Sequence, residues 1–140
     1  MSELSGLRVF AIEDESLVAM QLEDIFEDLG LELAGFAMRV PRALDMLASA
    51  PRLDVAVLDM NIAGEKVYPV AERLRELGVP IVFATGYGRG GLLPDWQIHP
   101  VLQKPYTADQ VAEAILDARV NRRFADASAS TLRADPPSAA

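Results

Sequence analysis

The chain has 140 residues, a length that suits one compact domain, and its 51% hydrophobic content is too high for a disordered one. Cysteine is absent, which removes disulfides, thiolate metal sites and thiol catalysis and fits a reducing, cytoplasmic setting. A net charge of −8 argues against a grip on nucleic-acid phosphates, and neither a membrane-length apolar run nor a signal-peptide pattern is expected.

An apolar strand is expected over residues 7–12. Residues 16–29 read as a helix, with Val18, Leu22, Ile25 and Leu29 on one stripe and Glu23, Asp24, Glu27 and Asp28 largely on the solvated side. Gly30 is placed to end it. A less regular strand covers residues 31–38. Pro41 then sits in the first turn of a short helix striped by Ala43, Leu44, Leu47 and Ala48. Residues 53–58 form a third strand, and Val55 to Leu58 run apolar without alternation, as in a strand buried on both faces. The next helix spans residues 66–77, with Val67, Val70, Ala71, Leu74 and Leu77 inward and Gly78 at its end. Residues 80–84 give a fourth strand.

Gly86, Gly88, Gly90 and Gly91, with Pro94 beyond, make residues 86–99 a mobile loop with at most a short helix. Trp96 and Tyr87 pack that loop, and His99 reads as a loop residue rather than a ligand. Residues 101–103 are a brief fifth strand. Thr107 and Gln110 form a capping box for a last helix reaching about Phe124, with Val111, Ile115 and Ala118 facing the sheet. Residues 125–140, rich in Ala, Ser, Pro and Asp, are expected to be a disordered tail after a domain of residues 1–124.

Strands alternating with helices imply an α/β fold: an open five-stranded parallel sheet in flavodoxin-like strand order 2-1-3-4-5, with helices on both faces. Ligands of such sheets sit beyond the carboxyl ends of the strands, here between strands one and three. Each strand end there is polar: Glu13 and Asp14, Asp59, Thr85 and Lys104. Taken singly, Asp59 and Thr85 read as turn residues, Glu13 and Asp14 as a helix cap, and Lys104 as a surface lysine. Together they are harder to obtain from turn chemistry. Three carboxylates about 5 Å apart repel by roughly 3 kcal/mol per pair at an effective dielectric near 20. One lysine cannot neutralise three, whereas Mg²⁺ prefers such oxygen ligands. Asp14 and Asp59 are the expected direct ligands, with the Asn61 backbone carbonyl closing the shell and Glu13 acting through water. Asp59 is then placed to attack phosphorus and form an acyl phosphate, with Lys104 and Thr85 on two other phosphoryl oxygens. Lys66 is the only other lysine against eleven arginines, so the ammonium at position 104 looks selected. Lys104–Pro105 is a candidate cis bond that aims it inward.

At these residues the chain resembles the receiver domain of bacterial two-component response regulators, over about residues 6–124. Glu13 and Asp14 match the acidic pair, Asp59 the phosphoacceptor, Thr85 the switch hydroxyl and Lys104–Pro105 the lysine-proline step. "PIVFATGYG", residues 80 to 88, further resembles the FATGUY-type receivers of alphaproteobacteria. The resemblance implies Mg²⁺-dependent phosphotransfer from a histidine kinase phosphohistidine to Asp59, with slow loss of the phosphate. A histidine phosphotransferase is a second expected partner. Two positions depart from the pattern. Val101 stands where many receivers carry an aromatic switch residue, so movement of residues 86–91, with Thr85, Gly86 and Tyr87, is expected to replace that coupling. Ala63 stands where many have proline.

With only residues 125–140 beyond the receiver, the expected output is binding of an unknown downstream protein, onward phosphotransfer or drainage of phosphate from a kinase. The final strand and final helix are the family-based candidate for a homodimer face. Three rival readings fit the residues less well. A haloacid-dehalogenase-like phosphohydrolase needs a general acid two residues past its nucleophile, where Asn61 cannot serve. A receiver-fold scaffold without phosphorylation conflicts with the complete residue set. A flavin-binding module would meet an acidic first turn that repels its phosphate. The chain is therefore expected to be a signalling domain rather than an enzyme with turnover.

Overall fold

The computed structural model describes residues 3–86 and 89–133. Its main sheet holds β1 (Arg8–Ile12), β2 (Glu32–Ala37), β3 (Val55–Asp59), β6 (Ile81–Thr85) and β7 (Val101–Gln103). All pairings are parallel and the order is β2-β1-β3-β6-β7, which is 2-1-3-4-5 when these strands alone are counted. This is the flavodoxin-like arrangement expected from the alternation of strands and helices. The helices are α1 (Ser16–Asp28), α2 (Val40–Leu47), α3 (Tyr68–Glu76) and α4 (Ala108–Arg133).

The period-two geometry of the strands divides the apolar residues between two cores. Phe10, Ile12, Ala56, Leu58, Ile81 and Phe83 pack against Val40, Ala43 and Leu47 of α2 and Val70, Ala71 and Leu74 of α3. Val9, Ala11, Val55, Val57, Val82 and Ala84 pack with Leu22, Ile25 and Phe26 of α1 and Val111, Ile115 and Ala118 of α4. β3 feeds both cores, which is why its apolar run does not alternate with polar residues.

Helix ends follow local chemistry. Gly30 and Gly78 take positive φ, 78° and 74°, one residue beyond the caps of α1 and α3. Their N–H groups donate to Glu27 and Arg75, and the next N–H groups, of Leu31 and Val79, reach back to Phe26 and Leu74. The capping box of α4 is present: Thr107 N–H donates to Gln110 Oε1 at 2.9 Å, and Gln110 N–H to Thr107 Oγ1 at 3.2 Å. Lys104–Pro105 is cis.

Two expectations are corrected. Residues 61–66 form a small antiparallel hairpin, β4 (Asn61–Ile62) and β5 (Glu65–Lys66), so α3 starts at Tyr68 rather than Lys66. The backbone of α4 continues past Phe124 to Arg133, so residues 125–133 are helical rather than part of a disordered tail. Alanine has the strongest helix propensity, and Ala-Ser repeats that read as low complexity also extend a helix already begun. The expected disorder of residues 134–140 and the position of Tyr87 lie outside the described residues.

The glycine-rich segment after β6 contains two single-turn 3-10 helices, Arg89–Gly91 and Pro94–Trp96. Its second half is held by aromatic packing. Trp96 stacks on Tyr68 and His99, with ring centroids 6.0 and 5.6 Å apart, and meets Phe83 edge-on at 5.9 Å. The Arg75 guanidinium lies 4.4 Å over the Trp96 ring. Leu93 N–H donates to the Tyr68 hydroxyl at 2.8 Å. Burial, and then the charge of Arg75, lower the His99 pKa. Trp96→Ala therefore removes a buried indole from β6, α3 and the loop together. It should cost about 3 kcal/mol or more, read as a lower urea midpoint at unchanged slope. A loss below about 1 kcal/mol would show that the stack contributes little.

Candidate functional site

Backbone pairing carries four chain segments to the carboxyl edge of the sheet. Past Ile12, Glu13 N–H still donates to Ala37 O at 3.1 Å. β3 ends in Asp59, which lies opposite Ala84 of β6. Past Gln103, Lys104 N–H donates to Thr85 O at 3.0 Å. The ladders thus set where Glu13, Asp59, Thr85 and Lys104 begin before any side chain interacts. Among the described residues the fully buried polar or charged ones are Glu13, Asp59 and Thr85, 1%, 7% and 4% exposed, and all three stand at these strand ends.

Lys104 joins the two buried acids. Its Nζ donates to Glu13 Oε1 at 3.0 Å and to Asp59 Oδ2 at 2.9 Å. The remaining oxygens have backbone donors: Glu15 N–H to Glu13 Oε2 at 3.1 Å, and Asn61 N–H to Asp59 Oδ1 at 3.3 Å. Asp14 Oδ2 accepts from Ala63 N–H, in the turn of the β4–β5 hairpin, at 2.8 Å. Glu13, Asp14 and Asp59 each offer a carboxylate oxygen, and these atoms lie within 4.8 Å of one another.

The charges are unbalanced, and the proton affinities show it. Burial pushes the Glu13 carboxyl up to about 7, with a hydrogen bond to Asp59 adding to the rise and the Glu15 N–H and Lys104 opposing it. For Lys104, burial works against the ammonium, but hydrogen bonds to Asp59 and Glu13 outweigh it and hold the pKa well above its usual value. Hard oxygen donors carrying surplus negative charge suit a small divalent cation such as Mg²⁺, which keeps part of its water shell. The donor set fits that ion.

The remaining expected residues are placed as follows. Asn61 opens β4 opposite Lys66. Val67 N–H donates to Met60 O at 3.0 Å, so by antiparallel alternation the Asn61–Lys66 pair is the one without mutual hydrogen bonds, and the Asn61 carbonyl turns away from the hairpin. Gly86 is exposed directly after Thr85. Val101 is partly buried opposite Phe83 and packs on the core beneath α2 and α3. Two contributors were not singled out from the sequence. One is the Ala63 N–H, whose role depends on a turn that alanine seldom makes. The other is Tyr106, buried just before α4 with a hydroxyl that has no hydrogen-bond partner among the described residues. Burial, then the charge of Glu13, push that hydroxyl up to about 12. The sequence "KPY" around Lys104 marks Tyr106 only by proximity.

No protein-family model matches the chain. The solution structure of SdrG from Sphingomonas melonis Fr1 is 40% identical and superposes with a TM-score of 0.72, covering 84% of this chain and 98% of that one. The solution structure of the Erythrobacter litoralis PhyR response regulator REC domain is 28% identical, with a TM-score of 0.72, covering 84% of this chain and 92% of that one. The phyllosphere-induced regulator PhyR of Methylorubrum extorquens is 31% identical over 81 residues, 56% of this chain. The chain spans only 30% of that curated relative's length.

The raised Glu13 pKa makes stability fall with pH. In Mg²⁺-free buffer the unfolded chain loses this proton near 4.5, and the folded chain keeps it until about 7. Between those values the unfolded state binds fewer protons, so the Glu13 contribution is full below the lower value and declines as pH rises to the upper one. Glu13→Gln should flatten this part of the profile of urea midpoints. An unchanged slope would contradict the burial argument.

Proposed function

The chain belongs to the receiver domains of response regulators, and from that premise we propose that it accepts a phosphoryl group on Asp59 from a histidine kinase phosphohistidine and signals through protein partners. The observation that carries this reading is the Lys104 ammonium bridging two buried acids beside Asp14. Few structural needs place an acceptor carboxylate, a cation and two further acids at one sheet edge.

Asp14, Asp59 and the Asn61 carbonyl would hold Mg²⁺ directly, and Glu13 through water. When bound, the ion neutralises these carboxylates and the phosphoryl oxygens that approach them. An Asp59 oxygen attacks phosphorus, an O–P bond forms, and the N–P bond of the phosphohistidine breaks with its electron pair leaving on the imidazole. Lys104 turns from the Asp59 carboxylate to a phosphoryl oxygen. The Asn61 N–H, already at Asp59, and the Thr85 hydroxyl supply two more donors. Hydrolysis of the acyl phosphate by water later resets Asp59.

Signalling follows if the phosphorylated state draws in Thr85 and shifts the populations of the segment from Gly86 through Tyr87, with Val101 leaving space that an aromatic would fill. Leu17 and Met20 of α1, 81% and 60% exposed, give an apolar surface beside the acidic edge that supports a kinase or histidine phosphotransferase as partner. The downstream protein is taken as a further partner, and a homodimer through β7 and α4 belongs to the same proposal. No helix among the described residues is long and apolar enough to cross a membrane; a cytoplasmic setting is part of the same proposal.

Incubation with acetyl phosphate and Mg²⁺ should add one labile phosphoryl group, mapped by mass spectrometry to Asp59. Asp59→Asn should abolish it. Asp14→Asn should slow it by at least the about tenfold that loss of an outer-shell partner costs a metal site. Labelling that survives Asp59→Asn would overturn the assignment. Repeated turnover of small phosphate esters would favour a phosphohydrolase instead.

A further inference from the structure

The hairpin turn between β4 and β5 rests on two residues with positive φ, Ala63 at 54° and Gly64 at 86°. Two-residue turns of this hand match the twist of paired strands, and glycine, asparagine or aspartate fill them because other side chains are strained there. Ala63 is one of two non-glycine residues with positive φ among the described residues. The other, Ala50, is remote from the acidic edge in sequence and accompanies the end of α2.

The left-handed conformation at Ala63 aims its N–H out of the hairpin and at Asp14 Oδ2, 2.8 Å away. That bond ties a carboxylate following β1 to a turn following β3. Other bonds anchor the turn itself: Val67 N–H to Met60 O closes the hairpin, and Asn61 N–H reaches Asp59 Oδ1. The turn is therefore fixed to the same strand that ends in Asp59. Charge-assisted bonds of this kind are short and directional, so this one restricts the orientation of the Asp14 carboxylate.

We propose that the Ala63 N–H is a positioning group for the divalent-cation site, holding Asp14 toward Glu13 and Asp59 and so setting the affinity for Mg²⁺. The proposal rests on the cation reading given above. It makes the left-handed turn part of the site: the strain at Ala63 persists because the N–H it directs has a partner across the sheet edge.

Calorimetric titration of MgCl₂ into the full chain tests it. Ala63→Gly and Ala63→Asn tolerate positive φ and keep the N–H, so affinity should stay within about twofold of the wild type. Ala63→Pro removes the N–H and forbids the φ, and Ala63→Val resists the φ, so each should bind about tenfold more weakly. A residue that merely supported the hairpin would move the unfolding midpoint without this ranking of Mg²⁺ affinities. If Ala63→Pro does not fold, Ala63→Val against its Asn counterpart decides. Equal affinities in all variants of a chain that binds Mg²⁺ would overturn the positioning role alone. Absence of Mg²⁺ binding by the wild type would remove the cation reading and this proposal with it.

Discussion

The site depends on one side chain, the Lys104 ammonium, shared between the Glu13 and Asp59 carboxylates. Both acids are almost sealed from solvent, and an unpaired buried charge would cost several kcal/mol. The lysine makes their burial tolerable and joins β1, β3 and β7 at one edge. Parallel pairing in the order β2-β1-β3-β6-β7 is what brings those strand ends within reach. The bridge is incomplete by design of charge: one ammonium faces three carboxylates, and Glu13 responds by holding its proton to about pH 7. A site in this condition gains from a small cation that offsets the surplus negative charge.

The surroundings of the edge differ from side to side. On the hairpin side, Asn61 N–H is tied to Asp59 and Val67 N–H to Met60, and Ala63 hands one N–H across to Asp14. On the β6 side, Thr85 leads into Gly86, which is exposed, and the chain is caught again by the stack of Trp96 on Tyr68 and His99. Aromatic packing is here concentrated at Trp96, while Val101 on β7 supplies a partly buried apolar contact. The segment between Thr85 and Leu92 is thus bounded by a buried strand end and a buried leucine.

Much of this was legible in the chain because the informative residues obey local rules. Unbroken apolar runs marked β3 and β6, glycine one step past the cap ended α1 and α3, and Thr107 with Gln110 announced α4. The polar residues at the strand ends followed once the strand order was fixed, because that order alone decides which ends are neighbours. The hairpin was not legible: Ala63 is an unusual choice for a left-handed position, and its reason lies at Asp14, far away in sequence. The extension of α4 was missed because alanine and serine repeats resemble a linker in composition while still favouring a helix. That Trp96 packs the loop was legible, but its partners were not, because glycine spacing describes what a loop can do and says nothing of the Tyr68 and Arg75 side chains that await it.

The most direct test of the unbalanced edge is thermal unfolding against MgCl₂, with NaCl adjusted to keep ionic strength constant. If the three acids and their single lysine form a cation site, the midpoint rises with Mg²⁺, saturates, and follows the linkage expected for a ligand that binds the folded state. Asp14→Asn should remove the rise. A wild-type midpoint that stays level across the Mg²⁺ series would contradict the account.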